Sequence, residues 1–527
     1  MEIEYAILPM AIMIYLIARK IQKRKKYSDA RIMLASRLNE TSRIEECRKI
    51  IRFFETNCGY LLTENISSEE LALLVKTGIE PKDLAEYISS KMKDMKGLTI
   101  GYQIISGRRF DVKLSQFYRD RHVYIVGSTG CGKTNQIYNM IKQDLDAGKG
   151  IGIIACEYDM VRRVFSMMPE HRMDDVIYVN PADLERPVSF NLFHLEQHEA
   201  VDAKAAKIYE VVQRNVDDPT SRMKSILLHA FYVMLHVPDT IFTDVTKLLD
   251  TRNSREYRHQ VVNQVKDEYR RNFWNNVYPN YPSNAYTPLL HRFDQLLNSV
   301  YCRNILCQRK NSLNLRQAMD SNKILVFNVS DGLLGEENSN MLGQLFIAAI
   351  QIALMSRADI PESKRKKYTL LVDEFHEFLQ VKSFEKLLRR TRKYGLGLIL
   401  SHQNINQLPT NVVEDFLGNV RTISSFGTSF TTASKFSKEF IRKDGPDIVH
   451  IPPEYIQYSN TGEAFCKIGN NSFFMQIDRF PIEENEEKIE RVIQASRQNY
   501  GVIPEKRETY QPDLTNVILN EPERVFN

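Results

Sequence analysis

The sequence has few cysteines, and they are not paired. Seven (Cys47, Cys58, Cys131, Cys156, Cys302, Cys307, Cys466) are scattered through 527 residues, with no C-x-x-C among them. An odd number at such spacings excludes a disulfide framework or a zinc ribbon and fits reduced thiols in a cytosolic body. There is no H-E-x-x-H, no internal repeat and no excess of one charge, the net being +5. Hydrophobic residues at 43% and charged residues at 26% are ordinary globular values, which excludes bulk disorder. The length allows two or three domains.

Long hydrophobic runs are also scarce, with one exception at the start. "MEIEYAILPMAIMIYLIARKIQKRKKYSD" is apolar from Tyr5 to Ala18 and then strongly basic, with Arg19, Lys20, Lys23, Arg24, Lys25 and Lys26. As a helix, Ile3 to Ile21 reaches roughly 28 Å, near the thickness of a bilayer core. Acidic residues before the run and basic ones after it predict a single-pass anchor in the cell membrane, N-terminus outside and the remainder cytoplasmic. A cleaved signal peptide would carry its basic residues first. The alternative is an amphipathic or partner-docking helix.

Residues 27–97 read as a small helical region, with a capping box at Ser67–Glu70 in "SSEELALLVKTG". Beyond it the pattern becomes short apolar runs followed by longer helical ones. "VYIVG", "IGIIAC", "DVIYVN", "KILVFNV", "YTLLVDE", "LGLILSH" and "RTISSF" are strand candidates. Several are apolar throughout, as strands of a parallel sheet covered on both faces must be. The expected class is α/β, a mostly parallel sheet in two parts, 98–194 and 321–482. An all-α subdomain at 195–320 interrupts it, and a C-terminal helix and tail follow at 483–527.

"VYIVGSTGCGKTNQIYNMI" contains G-x-x-x-x-G-K-T between a strand and a helix, the context a P-loop requires. Gly127, Ser128, Thr129, Gly130, Cys131, Gly132, Lys133, Thr134 and Asn135 would cradle phosphate with backbone N–H groups and the helix N-terminus. Lys133 would reach the β- and γ-phosphates, and the Thr134 hydroxyl would ligate Mg²⁺. The nucleotide expected is ATP.

A cradle of this kind needs an acidic partner at the end of another strand, and "TLLVDEFHEFL" supplies Asp373 for Mg²⁺. Glu374 would be the general base that aligns and deprotonates the attacking water. His376 and Glu377 invite a metal reading, but a packing or supporting role fits better. Gln403, at the tip of the next strand, is placed to sense the γ-phosphate, or is simply a polar strand end. Arg389, Arg390, Arg392 and Lys393 form either a solvated helix face or a charge presented to a neighbour's nucleotide or to a phosphate backbone.

These residues resemble the coupling-protein and HerA-like ATPases of the HerA–FtsK group, the conjugative and type IV secretion DNA pumps. The likeness runs over roughly residues 98–500. It is most specific in "DRHVYIVGSTGCGKT", "GLLGEENSNMLGQLFIAAIQIALMSRADIPESKRKKYTLLVDEFHEFL", "RRTRKYGLGLILSHQNINQLP" and "FLGNVRTISSF". The resemblance implies a RecA-like motor forming a homo-hexamer around DNA without sequence preference, with ATP at subunit interfaces. It also implies a multi-pass pore protein or other secretion components as partners. By position Arg392 matches the family's trans-acting arginine and Gln403 its sensor glutamine. The chain departs from the pattern at "ACEYDM", which keeps Asp159 where the family often has D-P-x-G-D, and in having one membrane segment instead of two. Three functions follow: a DNA translocase, a secretion or pilus-assembly ATPase acting on protein, and a nucleotide-dependent scaffold or switch.

Overall fold

The computed structural model describes residues 96–504 except 106–107, 197–198, 213–219, 251–253, 379–387, 389–390 and 445–446. The expected membrane segment 1–26, the helical region up to residue 95, Arg389, Arg390 and the tail beyond 504 lie outside the described residues. Thirteen strands are described: β1 (Leu98–Ile105), β2 (Arg108–Leu114), β3 (Val123–Val126), β4 (Ile151–Ala155), β5 (Val176–Val179), β6 (Ile324–Asn328), β7 (Tyr368–Val372), β8 (Leu396–His402), β9 (Thr422–Phe426), β10 (Ile441–Asp444), β11 (Asp447–His450), β12 (Glu463–Ile468) and β13 (Asn471–Gln476). Eleven of them build one sheet in the order β2-β1-β13-β12-β9-β3-β8-β7-β4-β6-β5, and β10 pairs with β11 separately.

The seven strands from β9 to β5 are parallel, and they are the seven apolar runs expected from the sequence. Alternate side chains of these runs enter two separate cores. In β3, Val123 and Ile125 enter one while Tyr124 and Val126 enter the other. Burial on both faces explains the continuous apolar pattern, each such side chain contributing about 1.5–3 kcal/mol. The antiparallel extension β12-β13-β1-β2 on the β9 side was not expected. Its strands carry polar and charged residues at alternate positions, as in "EAFCKI", because only one face of this part meets a core.

Between β5 and β6 the described residues form helices and no strand. Its centre is aromatic: Trp274 is fully buried, 4.7 Å ring to ring from Tyr278. The stretch "SREYRHQVVNQVKDEYRRNFWNNV" is not one helix. The Asp267 side chain accepts the N–H groups of Tyr269 and Arg270 and so starts a second helix there.

Three helices fix the sheet. Helix α1 (Lys133–Asp146) leaves the cradle and packs on β1. Helix α2 (Glu336–Ser356) lies across the opposite face, the Phe346 ring 4.5 Å from that of Phe327 of β6 and tilted against it. It is the helix long and apolar enough to cross a membrane among the described residues, and most of it is buried in the core. Helix α3 (Glu486–Tyr500) starts at the Asn485 cap and docks on the β5 edge, where Ser496 accepts the Tyr178 N–H at 2.8 Å.

Candidate active site

The order β3-β8-β7 places three chain segments side by side at the carboxyl ends of adjacent parallel strands, where open α/β sheets bind ligands. The glycine-rich loop follows β3, Asp373 and Glu374 follow β7, and Gln403 follows β8.

The loop turns tightly into α1 through Gly130 at φ 76° and Gly132 at φ 112°, values that side-chain-bearing residues rarely adopt. Gly127 has no room for a side chain: an added Cβ would lie 2.6 Å from both Cys131 Sγ and Phe426 Cβ. The loop is tied on both sides. Ser128 donates its N–H to the Gly427 carbonyl at 2.9 Å, and Gly462 donates to the Cys131 carbonyl at 2.8 Å. Gly132 caps α1 without a side-chain bond, so the first-turn N–H groups stay available for an anion. Thr134 and Asn135 stand in that first turn, Thr134 exposed.

Lys133 is buried, and its Nζ lies 3.6 Å from Glu374 Oε1. Gln403 bridges the groove: its Nε2 donates to Glu374 Oε1 at 3.2 Å, and its Oε1 accepts the Thr129 hydroxyl at 3.1 Å. Glu374 itself has φ 42°, a left-handed backbone that costs a non-glycine residue about 1–3 kcal/mol and is typical of functional positions. Burial raises its carboxyl above the ordinary range, opposed by Lys133 and reinforced by Asp373. The neighbouring Asp373 accepts a hydrogen bond from the Ser401 hydroxyl, and its backbone N–H reaches the Ile154 carbonyl at 3.3 Å.

His402, next to Ser401 on the same strand, points to the other face of the sheet, with its ring 5.9 Å from that of His376. Its Nε2 bonds the Tyr124 hydroxyl inside the core, and burial pulls its pKa down to about 3. Arg392 is exposed in the turn before β8, at the opposite end of that strand from Gln403. It shares that end with Arg121 and Arg421, and it lies outside the site of its own subunit.

The donors present suit a magnesium nucleotide: backbone N–H groups and a lysine for phosphate, and a hydroxyl and a carboxylate for the metal. Sequence reasoning did not find Ser401, Gly427 or Gly462. Ser401 was findable as the residue two before Gln403, on the same side of β8. The two glycines carry no local signal, since each is defined by a contact with a loop far away in the chain.

Fold and site together define a RecA-like P-loop nucleotide-binding protein. Residues 316–439 match the family model described as the type IV secretion-system coupling protein DNA-binding domain. That segment holds β6 to β9 with Asp373, Glu374, Arg392 and Gln403, so it includes half of the candidate site. Among solved structures, the plasmid coupling protein TrwB bound to a non-hydrolysable ATP analogue aligns at TM-score 0.56 and 15% identity, over 76% of this chain and 94% of that one. TrwB with ADP and Mg²⁺ aligns at 0.55 and 14% identity, over 76% and 93%. VirB4 of Thermoanaerobacter pseudethanolicus aligns at 0.50 and 15% identity, over 74% and 98%. No curated protein matches the chain. The resemblance to coupling-protein ATPases read from the motifs is therefore met by both the family model and the fold.

Proposed function

We propose that this chain is an ATP-hydrolysing motor that moves DNA during conjugative or type IV secretion-like transfer. In this reading it works as a homo-hexamer held at the cell membrane by residues 1–26, with its ATPase part cytoplasmic. A membrane pore protein is its partner. The observation that carries the reading is the groove where Thr129, Gln403, Glu374 and Lys133 form a continuous chain of contacts between cradle and general base. The solved relatives bound to ADP with Mg²⁺ or to an ATP analogue support the choice of ATP and Mg²⁺, and the coupling-protein family match supports DNA as cargo.

Gly127 to Asn135 and Lys133 would hold the phosphates, and Thr134 and Asp373 the Mg²⁺. When bound, the magnesium nucleotide supplies the phosphoanhydride and the positive charge that offsets its cleavage. Glu374 Oε1, on the Lys133 side, is placed to take a proton from water. Gln403 touches both the base and the loop, so a change at the γ-phosphate moves it. A scaffold or switch would need neither a strained glutamate facing the lysine nor the glutamine bridge. A protein-moving ATPase would use the same residues, and the cargo separates the two.

Nucleotide binding and turnover, measured separately in two variants, test the site. Lys133→Ala should lose binding, while Glu374→Gln should bind ATP and stall. Turnover at the parental rate in Glu374→Gln would remove the general-base assignment and the motor with it.

A further inference from the structure

His376 and Glu377 have no part in the chemistry described so far. His376 lies in the turn Phe375–Phe378 directly after β7 and is mostly covered. Its Nδ1 stands 3.4 Å from Glu374 Oε2, and both atoms are buried with no hydrogen-bond partner, each being the nearest group able to satisfy the other. Its Nε2 stands 2.9 Å from Gln407 Nε2.

The Gln407 amide cannot turn over freely, because its Oε1 already accepts the Asn404 N–H at 3.1 Å. That turn is itself fixed: Asn404 Oδ1 accepts the Asn406 N–H at 3.0 Å and the Thr432 hydroxyl at 2.8 Å. An amide NH₂ only donates. His376 Nε2 is therefore the acceptor, and by this hydrogen-bond network the ring proton sits on Nδ1, facing Glu374 Oε2. The exposed Glu377 Oε1 also reaches Nε2, at 3.0 Å, and draws the proton the other way. Lys133 and Gln403 occupy the other oxygen of the base, Oε1.

We propose that His376 is a positioning residue that anchors Oε2 of Glu374, leaving Oε1 as the atom that accepts the proton of water. The inference rests on Glu374 being the general base of the proposed motor. One turn, residues 403–407, thus carries both the glutamine that bridges base and cradle and the glutamine that sets the His376 proton. The base and its sensor move as one unit.

Two measurements on the full-length protein test this. Steady-state ATPase is compared for His376→Ala, His376→Asn, whose amide nitrogen occupies the Nδ1 position, and His376→Gln, whose amide reaches the Nε2 position. Alanine should lower kcat roughly tenfold, the scale of one hydrogen bond to a charged group, with KM unchanged. Asparagine should restore most of it and glutamine should not. In parallel, ¹⁵N shifts of His376 should show the Nδ1–H form in the parent and a move toward Nε2–H in Gln407→Leu.

Parental kcat in His376→Ala, a rise in KM alongside the loss, asparagine no better than glutamine, or Nε2–H in the parent would each overturn the proposal. The tautomer needs no turnover, so it decides the anchor even if the protein proves not to hydrolyse ATP.

Discussion

Lys133 and Glu374 face each other across the groove, Nζ 3.6 Å from Oε1, and Gln403 holds the same carboxylate oxygen. The lysine and the residues proposed as base and sensor therefore meet at one atom, and in the proposed motor a phosphate entering the cradle competes with Glu374 for Lys133.

Gln403 should matter for turnover more than for affinity. Gln403→Ala removes the bonds to Glu374 and to Thr129 together while leaving the cradle intact. We expect nucleotide affinity within about threefold of the parent and kcat lowered by about 10²-fold, the low end for a positioned catalytic group. Parallel binding titration and single-turnover kinetics distinguish this from a binding defect.

Arg392 stands at the amino end of β8, the far end from its own cradle, so in the proposed hexamer a nucleotide it touches would belong to a neighbour. Arg392→Ala should lose hydrolysis as a pure assembly. Mixed with Lys133→Ala subunits, it should recover part of the activity, because some interfaces then pair an intact cradle with an intact arginine. ATPase that stays flat at every mixing ratio would leave the trans role without support.

Stability should fall on the acid side of neutrality. His122 is buried, accepting the Leu398 N–H on Nδ1 at 3.1 Å and bonding the Leu388 carbonyl through Nε2, which fixes it neutral. Burial lowers its pKa to about 4, and that of His229 likewise to about 4. These groups take up protons in the unfolded chain near the ordinary histidine pKa but not in the folded one. Folding therefore loses stability as pH drops from about 6.5 toward 4, and His402, lowered to about 3, extends the loss to that pH. For the almost fully buried His122 the loss is at most about 3 kcal/mol. Urea midpoints measured between pH 8 and 4 check the sign, and His122→Gln should flatten part of the slope.

The core holds one ion pair whose disruption should be severe. Arg119, 2% exposed, forks onto both oxygens of the fully buried Asp144 and also donates to the Thr369 hydroxyl at 2.8 Å. Asp144→Ala strands a buried guanidinium and should cost about 3–5 kcal/mol. Thermal unfolding of the single variant should show it, whereas the paired replacement Arg119→Met with Asp144→Leu should recover most of the loss.

The parallel sheet was legible because most of its strands are short, largely apolar runs, a pattern that double-sided burial imposes. The cradle was legible because its glycines, lysine and threonine are consecutive, and the Asp373–Glu374 pair because it ends a strand of the same kind. The β12-β13-β1-β2 extension was not, since single-sided burial mixes Lys467 and Glu463 into the strand pattern. His376 was noticed but could not be assigned: its orientation depends on Gln407, 31 positions on, and on a turn that only the fold brings beside it. Gly427 and Gly462 steady the cradle purely by tertiary contact, which leaves no local trace.

In the proposed motor ATP hydrolysis is coupled to DNA, and the turnover rate measured with and without DNA tests that coupling. In full-length protein at low salt, DNA should raise ATP turnover several-fold irrespective of base sequence. The stimulation should weaken steeply as salt rises, because a motor gripping the phosphate backbone displaces counterions, and Glu374→Gln should stay inactive throughout. Turnover that is present but indifferent to single- and double-stranded DNA at every salt concentration would rule out a DNA-driven motor.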